Sequence, residues 1–141
     1  MLFGMARILI NESDERMRRL LVRMVARLRH RPVTLASPEP GYLDGVDLLI
    51  VEPAAASGAL FAKAAHASDP ALPVVCASVA APPEIDVPFA ARLVKPFTLD
   101  ELREAIDWGL AWGVACRHRG GDGDEDDGAG AATEADDGCT P

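Results

Sequence analysis

The chain has 141 residues, which is the length of one ordinary globular domain. Its net charge of −8 lies entirely at the C-terminus, because residues 1–121 contain 14 acidic and 14 basic side chains while residues 122–141 contain eight acidic and no basic ones. The sequence has no apolar run near the roughly 20 residues of a membrane span, and its three cysteines lack metal-ligand spacing. We therefore expect a cytoplasmic protein without membrane contact or a disulfide framework.

Residues 122–141 form an acidic tail whose few apolar groups do not offset the entropy lost on ordering. We predict that this tail is disordered and that residues 1–121 form the one folded domain. Because only the acidic tail follows the last predicted helix, we expect no appended DNA-binding domain and no nucleic-acid partner.

Apolar runs of strand length alternate with helical patterns over residues 7–116. The first predicted strand covers residues 7–10, and Ser13 in the polar cluster after it is the expected N-cap of a helix. Pro32 is expected to end this helix, and a second strand is predicted over residues 33–36. The helix has an apolar stripe at Met17, Leu20, Leu21, Met24, Val25 and Leu28.

The opposite side of this helix carries a basic row, Arg16, Arg19, Arg23 and Arg27. Such a row is either a solvated charged face or a docking face for an acidic group. The docking interpretation has two candidate occupants, which are an acidic partner protein and the acidic tail of this chain.

The central strand is predicted over residues 47–52, where four consecutive branched aliphatic residues end on Glu52. A strand without polar alternation is typical of a parallel sheet that helices cover on both faces. Only residues 37–46 connect it to the second strand, which leaves room for one helical turn at most. A helix capped by Ser57 and running to about residue 67 is expected next.

Two further strands are predicted over residues 72–77 and 92–94. Between them, three prolines in residues 79–88 disfavour a normal helix. A capping box of Thr98 and Glu101 then opens the last helix.

The last helix is expected to end near residue 116, before a stop signal at residues 120–121. Its apolar stripe, assigned to the sheet, consists of Leu99, Leu102, Ile106, Leu110 and Gly113. Trp108 and Trp112 lie roughly opposite that stripe. They are interpreted either as an interface with a partner or a second copy of the chain, or as side chains that fold over the space left by the missing fourth helix.

This order of elements predicts a doubly wound α/β fold, a five-stranded parallel sheet with abbreviated second and fourth helices. In such a sheet, the groups that follow the strands meet at the carboxyl edge, where ligands bind. The groups expected there are Glu12, Ser13, Glu52, Ser78 and Lys95.

Two stretches of the chain resemble response-regulator receiver domains of two-component signalling. Residues 7–21 resemble the opening strand, acidic turn and first helix of that family without a gap, and residues 93–97, LVKPF, resemble its ending. The short segment before Lys95 is similar to the single-domain receivers of alphaproteobacteria. The resemblance implies a flavodoxin-like receiver fold, a single-domain signalling protein of a phosphorelay, and a cis peptide bond between Lys95 and Pro96.

In that family, two acidic residues and an aspartate hold Mg²⁺, the aspartate accepts a phosphoryl group, and a hydroxyl and a lysine bind the phosphoryl oxygens. By residue matching, the acidic pair is Glu12 and Ser13 here, and the phosphoacceptor is Glu52. The hydroxyl and the lysine are Ser78 and Lys95. The resemblance therefore implies a degenerate phosphoacceptor site, with no or weak Mg²⁺ binding at Glu12, Ser13 and Glu52.

We interpret the chain as a pseudo-receiver that is not an enzyme and that acts by protein contacts. The implied partners are a histidine kinase, a phosphotransfer protein or another signalling protein, and a homodimer is an open alternative. A contact between Lys95 and Glu52 would either mimic the activated state without phosphate or be a buried ion pair that holds strand ends together.

Two other functions compete with this interpretation. The first is an active receiver, since Glu12, Asp14 and Glu52 keep three acids near the site for Mg²⁺-dependent phosphoryl transfer. The second is a flavodoxin-like cofactor binder, because the topology is shared. The acidic first turn disfavours the second alternative, since it would repel a phosphate group.

Overall fold

The computed structural model describes residues 4–35, 39–54, 56–79 and 86–122. The elements in these ranges are β1 (Arg7–Asn11), α1 (Glu15–Arg27), β2 (Arg31–Thr34), β3 (Leu48–Val51), α2 (Ala56–Ser68), β4 (Val74–Ser78), β5 (Ala91–Val94) and α3 (Leu99–Asp122). None of the helices in the described ranges has the length and hydropathy that a membrane span requires. The acidic tail after Asp122 lies outside the described residues, so the prediction that it is disordered stays a prediction.

The five strands form one parallel sheet in the order β2-β1-β3-β4-β5. This order confirms the predicted doubly wound sheet, with β3 in the middle. Because all strands are parallel, their carboxyl ends lie along one edge of the sheet, and that edge receives the polar residues that follow each strand.

Helices cover both faces of the sheet, which explains the uninterrupted aliphatic run of β3. Leu48 and Ile50 belong to the core under α1 and α3, whereas Leu49 and Val51 belong to the core under α2. Side chains alternate between the faces of a strand, so each face needs apolar residues at every second position. Full burial of one such side chain contributes about 1.5–3 kcal/mol.

Helix α1 begins one residue later than the sequence indicates. Asp14, not Ser13, is the N-cap, and its Oδ1 accepts the backbone N–H groups of Arg16 at 3.0 Å and Met17 at 3.4 Å. Both side chains are good caps, but a carboxylate also complements the positive end of the helix dipole. The Ser13 prediction is therefore wrong as an N-cap.

The end of α1 also differs from the prediction, because the helix stops well before Pro32. The His30 N–H donates to the Val25 carbonyl at 3.1 Å, and Arg29, with φ of 71°, donates to the Ala26 carbonyl at 2.9 Å. This bond pair is a Schellman motif with arginine in the place where glycine is usual. Pro32 lies inside strand β2.

The apolar stripe of α1 is narrower than the sequence indicates. Leu21, Val25 and Leu28 are buried, and Met17 and Met24 pack against the same core. Leu20, by contrast, is 45% exposed. It lies next to the basic row on the helix surface, so this side of α1 faces solvent.

Irregular segments replace two of the expected crossover helices. Between β2 and β3, residues 40–45 form turns, and Tyr42 packs edge-on against Phe61 of α2 with ring centroids 5.2 Å apart. Before β5, Val87 and Phe89 contribute to the core under α2. Of the three prolines in this connection, Pro82 and Pro83 lie outside the described residues and Pro88 lies within them.

Helix α2 begins at Ala56, so Ser57 lies inside its first turn and is not the predicted cap. Gly58 allows this turn to approach the end of β3, because a Cβ there would collide with the backbone carbonyl of Glu52. The start of α2 is thus held directly against the residue that follows the central strand.

Helix α3 is opened by the predicted capping box. The Thr98 N–H donates to Glu101 Oε1 at 2.7 Å, and the Glu101 N–H donates to Thr98 Oγ1 at 3.1 Å. The helix continues to Asp122, past the glycine pair that was expected to end it. Glycine in a helix costs only about 1 kcal/mol, and the next proline in the sequence is Pro141, too far away to force a stop here.

The predicted sheet-facing stripe of α3 is confirmed. Leu102, Ile106 and Leu110 lie in the core under α1 and α3. Gly109 allows the helix to pack closely, since a Cβ there would lie 2.7 Å from Leu48 Cδ1.

One of the two described cysteines departs from the expectation that the chain has no disulfide framework. Cys76 is a buried free thiol in β4, and burial together with the charge of Glu52 raises its pKa to about 11. Cys116, which is buried on α3, is disulfide-bonded.

The two tryptophans of α3 have different environments. Trp112 is 8% exposed and packs with Ala71, Ala90 and Cys116, so the segments before β4 and β5 close over it. Trp108 is 61% exposed. The interface prediction is therefore wrong for Trp112, which is intramolecular core, and it remains open for Trp108.

We expect Trp112→Ala to lower the free energy of unfolding by about 3–5 kcal/mol, because it empties a buried site. Trp108→Ala should change the free energy by less than about 1 kcal/mol. Urea unfolding followed by circular dichroism measures both values. Trp112→Phe is the matched control, since it keeps a ring and removes an indole N–H that has no hydrogen-bond partner among the described residues. Equal losses for the two alanine variants would contradict the difference in burial.

Candidate functional site

Four polar residues meet at the carboxyl edge of the sheet. Glu12 follows β1, Glu52 follows β3, Ser78 ends β4 and Lys95 follows β5. Glu12, Glu52 and Ser78 are buried, and the side chain of Lys95 is 9% exposed. The structure therefore brings together these four of the five residues that the sequence placed at this edge.

Lys95 joins the two carboxylates. Its Nζ lies 2.7 Å from Glu12 Oε1 and 2.9 Å from Glu52 Oε1. We call Lys95, Glu12 and Glu52 the ion triad. Because β5 neighbours neither β1 nor β3 in the sheet, the ion triad connects strand ends that share no ladder with β5. The expected contact between Lys95 and Glu52 is present.

The remaining carboxylate oxygens of the ion triad bind backbone donors. Glu12 Oε2 accepts the N–H of Asp14 at 3.1 Å, and Glu52 Oε2 accepts the N–H of Ala54 at 3.1 Å. All four oxygens therefore have a donor. Two acids can therefore be buried beside one cation, because buried charges are tolerated when they are paired and hydrogen-bonded.

The two carboxylates raise the pKa of Lys95 above its ordinary value of 10.5. Burial by itself lowers the pKa, because it disfavours the charged amine, but hydrogen bonds and the charges of Glu12 and Glu52 together outweigh it. Lys95 is therefore an ammonium ion at neutral pH. Its contribution to stability is fully present below pH 10.5 and is lost as the pH rises through the higher pKa of the folded state.

Arg18 adds a positive charge that was not expected among the residues of this edge. Its Nη1 donates to the backbone carbonyl of Glu12 at 3.2 Å. It also lines a groove of about 650 Å³ beside the ion triad, together with Ser13, Thr34 and Glu39. Arg18 lies two residues after Arg16, so it is on a different side of α1 from the basic row and faces the end of β1. Helical periodicity in the sequence could have indicated this placement.

The residues expected to hold Mg²⁺ fit that ion poorly. The side chain of Ser13 is exposed, and Asp14 is committed to capping α1. The ammonium of Lys95 already lies against Glu12 and Glu52, whereas Mg²⁺ demands oxygen ligands in near-octahedral geometry. Among the described residues, no group of three or more histidine, cysteine or acidic side chains is placed to hold a metal.

The basic row and Trp108 lie away from the ion triad, on solvent-facing helix surfaces. All four arginines of the basic row are exposed, and Arg19 pairs with Glu15 at 2.7 Å. Trp108 lines a shallow groove on the β5 side with Arg92, Val94 and Glu104. These residues can serve only contacts with other molecules or with other segments of the chain.

Lys95→Met should lower the free energy of unfolding by about 3–5 kcal/mol at neutral pH, because it leaves two buried carboxylates without their cation. Burial and mutual repulsion then raise the carboxyl pKa values in the folded variant. The folded variant consequently gains protons and stability as the pH falls toward the ordinary glutamate pKa of about 4.3.

Urea unfolding at several pH values between neutral and acidic conditions measures this effect. The control is Lys63→Met, which removes the exposed lysine of α2. The loss caused by Lys95→Met should shrink on acidification relative to that control. A pH-independent loss would show that the ion triad does not carry the predicted charges.

Comparisons with known proteins give a structural likeness and no sequence match. No protein-family model and no curated protein sequence matches the chain. A receiver domain protein of the CheY-like type from Methanospirillum hungatei is similar in structure, with a TM-score of 0.68 and 17% identity over 79% of this chain and 98% of that one.

Two further structures show the same likeness. The N-terminal domain of a response regulator/sensory box/GGDEF protein from Carboxydothermus hydrogenoformans gives a TM-score of 0.69 with 18% identity over 79% of this chain and 99% of that domain. The response regulator protein TrrA from Thermotoga maritima, in complex with Mg²⁺ and BeF, gives 0.61 with 21% identity over 73% of this chain and 97% of that one. At these identities the likeness shows the fold, and the chain has the fold of response-regulator receiver domains.

Proposed function

We propose that this chain is a receiver-like signalling module that acts by protein contacts and does not use phosphorylation of its central acid. One observation carries the proposal: both oxygens of Glu52, the residue at the phosphoacceptor position, are engaged, Oε1 by Lys95 and Oε2 by the backbone N–H of Ala54. In this proposal the protein is a cytoplasmic pseudo-receiver without enzymatic activity. Its partners are a histidine kinase, a phosphotransfer protein or another signalling protein.

Phosphoryl transfer to Glu52 would use a carboxylate oxygen whose nucleophilicity is lowered by its donor. The ammonium of Lys95 lies 2.9 Å from Oε1, and the N–H of Ala54 lies 3.1 Å from Oε2. The glutamate side chain is also one methylene longer than aspartate, and a misplacement of about 1 Å costs about 10²-fold in a positioned reaction. Both effects oppose in-line attack on a phosphoryl donor.

Mg²⁺ is proposed to bind weakly or not at all. The side chain at the second position of the acidic pair is the exposed hydroxyl of Ser13, which supplies no charge. Binding at the remaining acids would have to displace the ammonium of Lys95 from Glu12 and Glu52. The TrrA complex with Mg²⁺ and BeF therefore marks chemistry that the donor set of this chain does not favour.

The ion triad supplies a fixed charge arrangement without a phosphoryl group. In the proposed state, the carboxylate of Glu52 takes the place next to Lys95 that a phosphoryl oxygen takes in the receiver family. The signalling surface then has one conformation, and regulation comes from the partner or from the amount of protein. Glu52→Gln should weaken this arrangement, since a neutral amide attracts the ammonium less than a carboxylate does.

We expect no phosphoryl adduct after incubation with acetyl phosphate or phosphoramidate and Mg²⁺, because both oxygens of Glu52 are held by donors and the longer glutamate side chain is misplaced for in-line attack. Intact-mass measurement at acid pH, which preserves acyl phosphates, checks this result. The controls are Glu52→Gln and a receiver domain known to accept phosphate. A gain of one phosphoryl mass that vanishes in Glu52→Gln would contradict the proposal and establish the alternative, an active Mg²⁺-dependent receiver.

The exposed Trp108 marks the proposed contact surface. Trp108 is 61% exposed and Val94 on the adjacent strand β5 is 67% exposed, and both line the groove with Arg92 and Glu104. Aromatic side chains and arginine are enriched at protein interfaces. The groove therefore offers an apolar centre with a charge of each sign beside it, which suits a protein partner or a second copy of the chain.

Trp108→Ala should weaken self-association or partner binding by about 2 kcal/mol or more, which is about 30-fold, if the indole is an interface anchor. Sedimentation velocity measures self-association, and affinity capture measures partner binding. Leu60→Ala is the matched control, because Leu60 is 65% exposed on α2, against the other face of the sheet. An equal effect of both variants, or none for Trp108→Ala, would remove the proposed surface.

A further inference from the structure

The basic row of α1 is electrostatically unfavourable as it stands. Three pairs within it, Arg16 with Arg19, Arg19 with Arg23 and Arg23 with Arg27, are three or four residues apart, where like charges repel on a helix. Arg16 also lies in the first turn, where the helix dipole disfavours a cation. Packing explains none of these arginines, since all four are exposed.

Acidic side chains in the described part of the chain neutralise little of the charge of the basic row. Arg19 pairs with Glu15, and both side chains are more than half exposed. Among the described residues, Arg16, Arg23 and Arg27 have no ion-pair partner. Negative charge from outside α1 would therefore stabilise the basic row.

The acidic tail begins close to this surface. Helices α1 and α3 contribute to the same core, and Asp107 of α3 raises the pKa of His30 just after α1, against the larger lowering by burial. Because both helices follow parallel strands on one face of the sheet, both run from the carboxyl edge toward the opposite edge. The last turns of α1 and α3 thus point the same way.

The length of the acidic tail matches the distance to the basic row. Helix α3 has 24 residues and α1 has 13, so α3 extends beyond α1 by about 16 Å at 1.5 Å per residue. Together with a lateral spacing of about 10 Å between neighbouring helices, this gives roughly 19 Å to Arg27, or about six extended residues. The basic row itself is about 16 Å long, which about five further extended residues span.

We propose that, when the disulfide of Cys116 is reduced, residues 123–137 of this chain dock along the basic row of α1 and cover it in the free protein. Seven acidic side chains lie in this segment, at positions 124–127, 134, 136 and 137. The acids at 126 and 127 lie closest to the Arg27 end, and the last three lie at the Arg16 end or, where the segment is less than fully extended, along the middle of the row. Docking is intramolecular, so its effective concentration is in the millimolar range and weak contacts suffice.

This contact makes the basic row a regulated surface. An acidic protein that binds α1 must first displace the acidic tail, so the tail lowers the apparent affinity of that protein for α1. The contact is screened by salt, because the charges are exposed and the Debye length is only about 10 Å at 0.1 M ionic strength.

The test compares the full chain with a full-length variant in which the acids at positions 124–127, 134, 136 and 137 are replaced by Asn or Gln. Backbone amide shifts are recorded by NMR at low and high salt, with a thiol reductant present so that the Cys116 disulfide does not contribute. We expect shifts of the α1 amides on neutralisation at low salt, and no difference at about 0.5 M salt.

Two arginine variants locate the contact. Arg16→Gln/Arg23→Gln/Arg27→Gln should abolish the effect of neutralising the acidic tail, whereas Arg7→Gln/Arg31→Gln, which removes two exposed arginines outside α1, should preserve it. Unchanged α1 amides on neutralisation at low salt would overturn the proposal. Amide shifts confined to the end of α3 would overturn it as well.

Poly-glutamate serves as a probe for an external acidic partner. The neutralised variant should bind it at least about threefold more tightly than the full chain at low salt, because the acidic tail no longer competes. Equal affinities would show that the basic row is open to a separate acidic protein and would overturn intramolecular docking.

Discussion

The ammonium group of Lys95 holds the carboxyl edge of the sheet together. It binds Glu12 and Glu52 at the ends of β1 and β3, and it comes from the end of β5, which pairs with neither strand. Each acid also accepts a hydrogen bond from the backbone close to the start of a helix. Glu12 binds the backbone of Asp14, the cap of α1, and Glu52 binds the backbone of Ala54 shortly before α2. One cation thereby fixes the starting points of two helices relative to three strands.

This arrangement makes the site a structural element as well as a candidate signalling element. In a site that cycles between charge states, some donor or acceptor must be free to change partners. Here every carboxylate oxygen of the ion triad has its donor, and Arg18 holds the carbonyl of Glu12 from the other side. A site whose oxygens all have donors favours one state, which agrees with the proposal that partners bind the outer surfaces of α1 and α3.

The fold and the site members could be predicted where the sequence pattern is local and strong. Four aliphatic residues in β3 have no polar alternation and therefore require two covered faces, and the capping box of Thr98 and Glu101 has a fixed spacing. The site residues follow from topology, because the residues after parallel strands meet at one edge. The pairing of Lys95 with both acids at once was not predicted, since distances between strand ends depend on the sheet register.

Other features depend on tertiary contacts that no local pattern contains. Strand β1 continues through Asn11, which shifts the helix start and leaves the cap to Asp14 instead of Ser13. Trp112 is buried because the segments before β4 and β5 fold over it, while Trp108, one turn earlier, is left in solvent. Helical periodicity puts both indoles on the same side of α3 and does not distinguish them.

Pro32 has a consequence for how copies of this protein meet. It lies in β2, at one edge of the sheet, where the N–H groups of Arg31 and Leu35 donate to the carbonyls of Ala6 and Ile10, and N–H groups at alternate positions between them point outward. The missing N–H of Pro32 therefore falls on the open side of the edge strand, and Arg31 adds a charge beside it. An edge that lacks a donor and carries a charge is a poor template for another strand. Pro32 and Arg31 therefore disfavour the addition of a strand from a second copy of the chain at this side of the sheet.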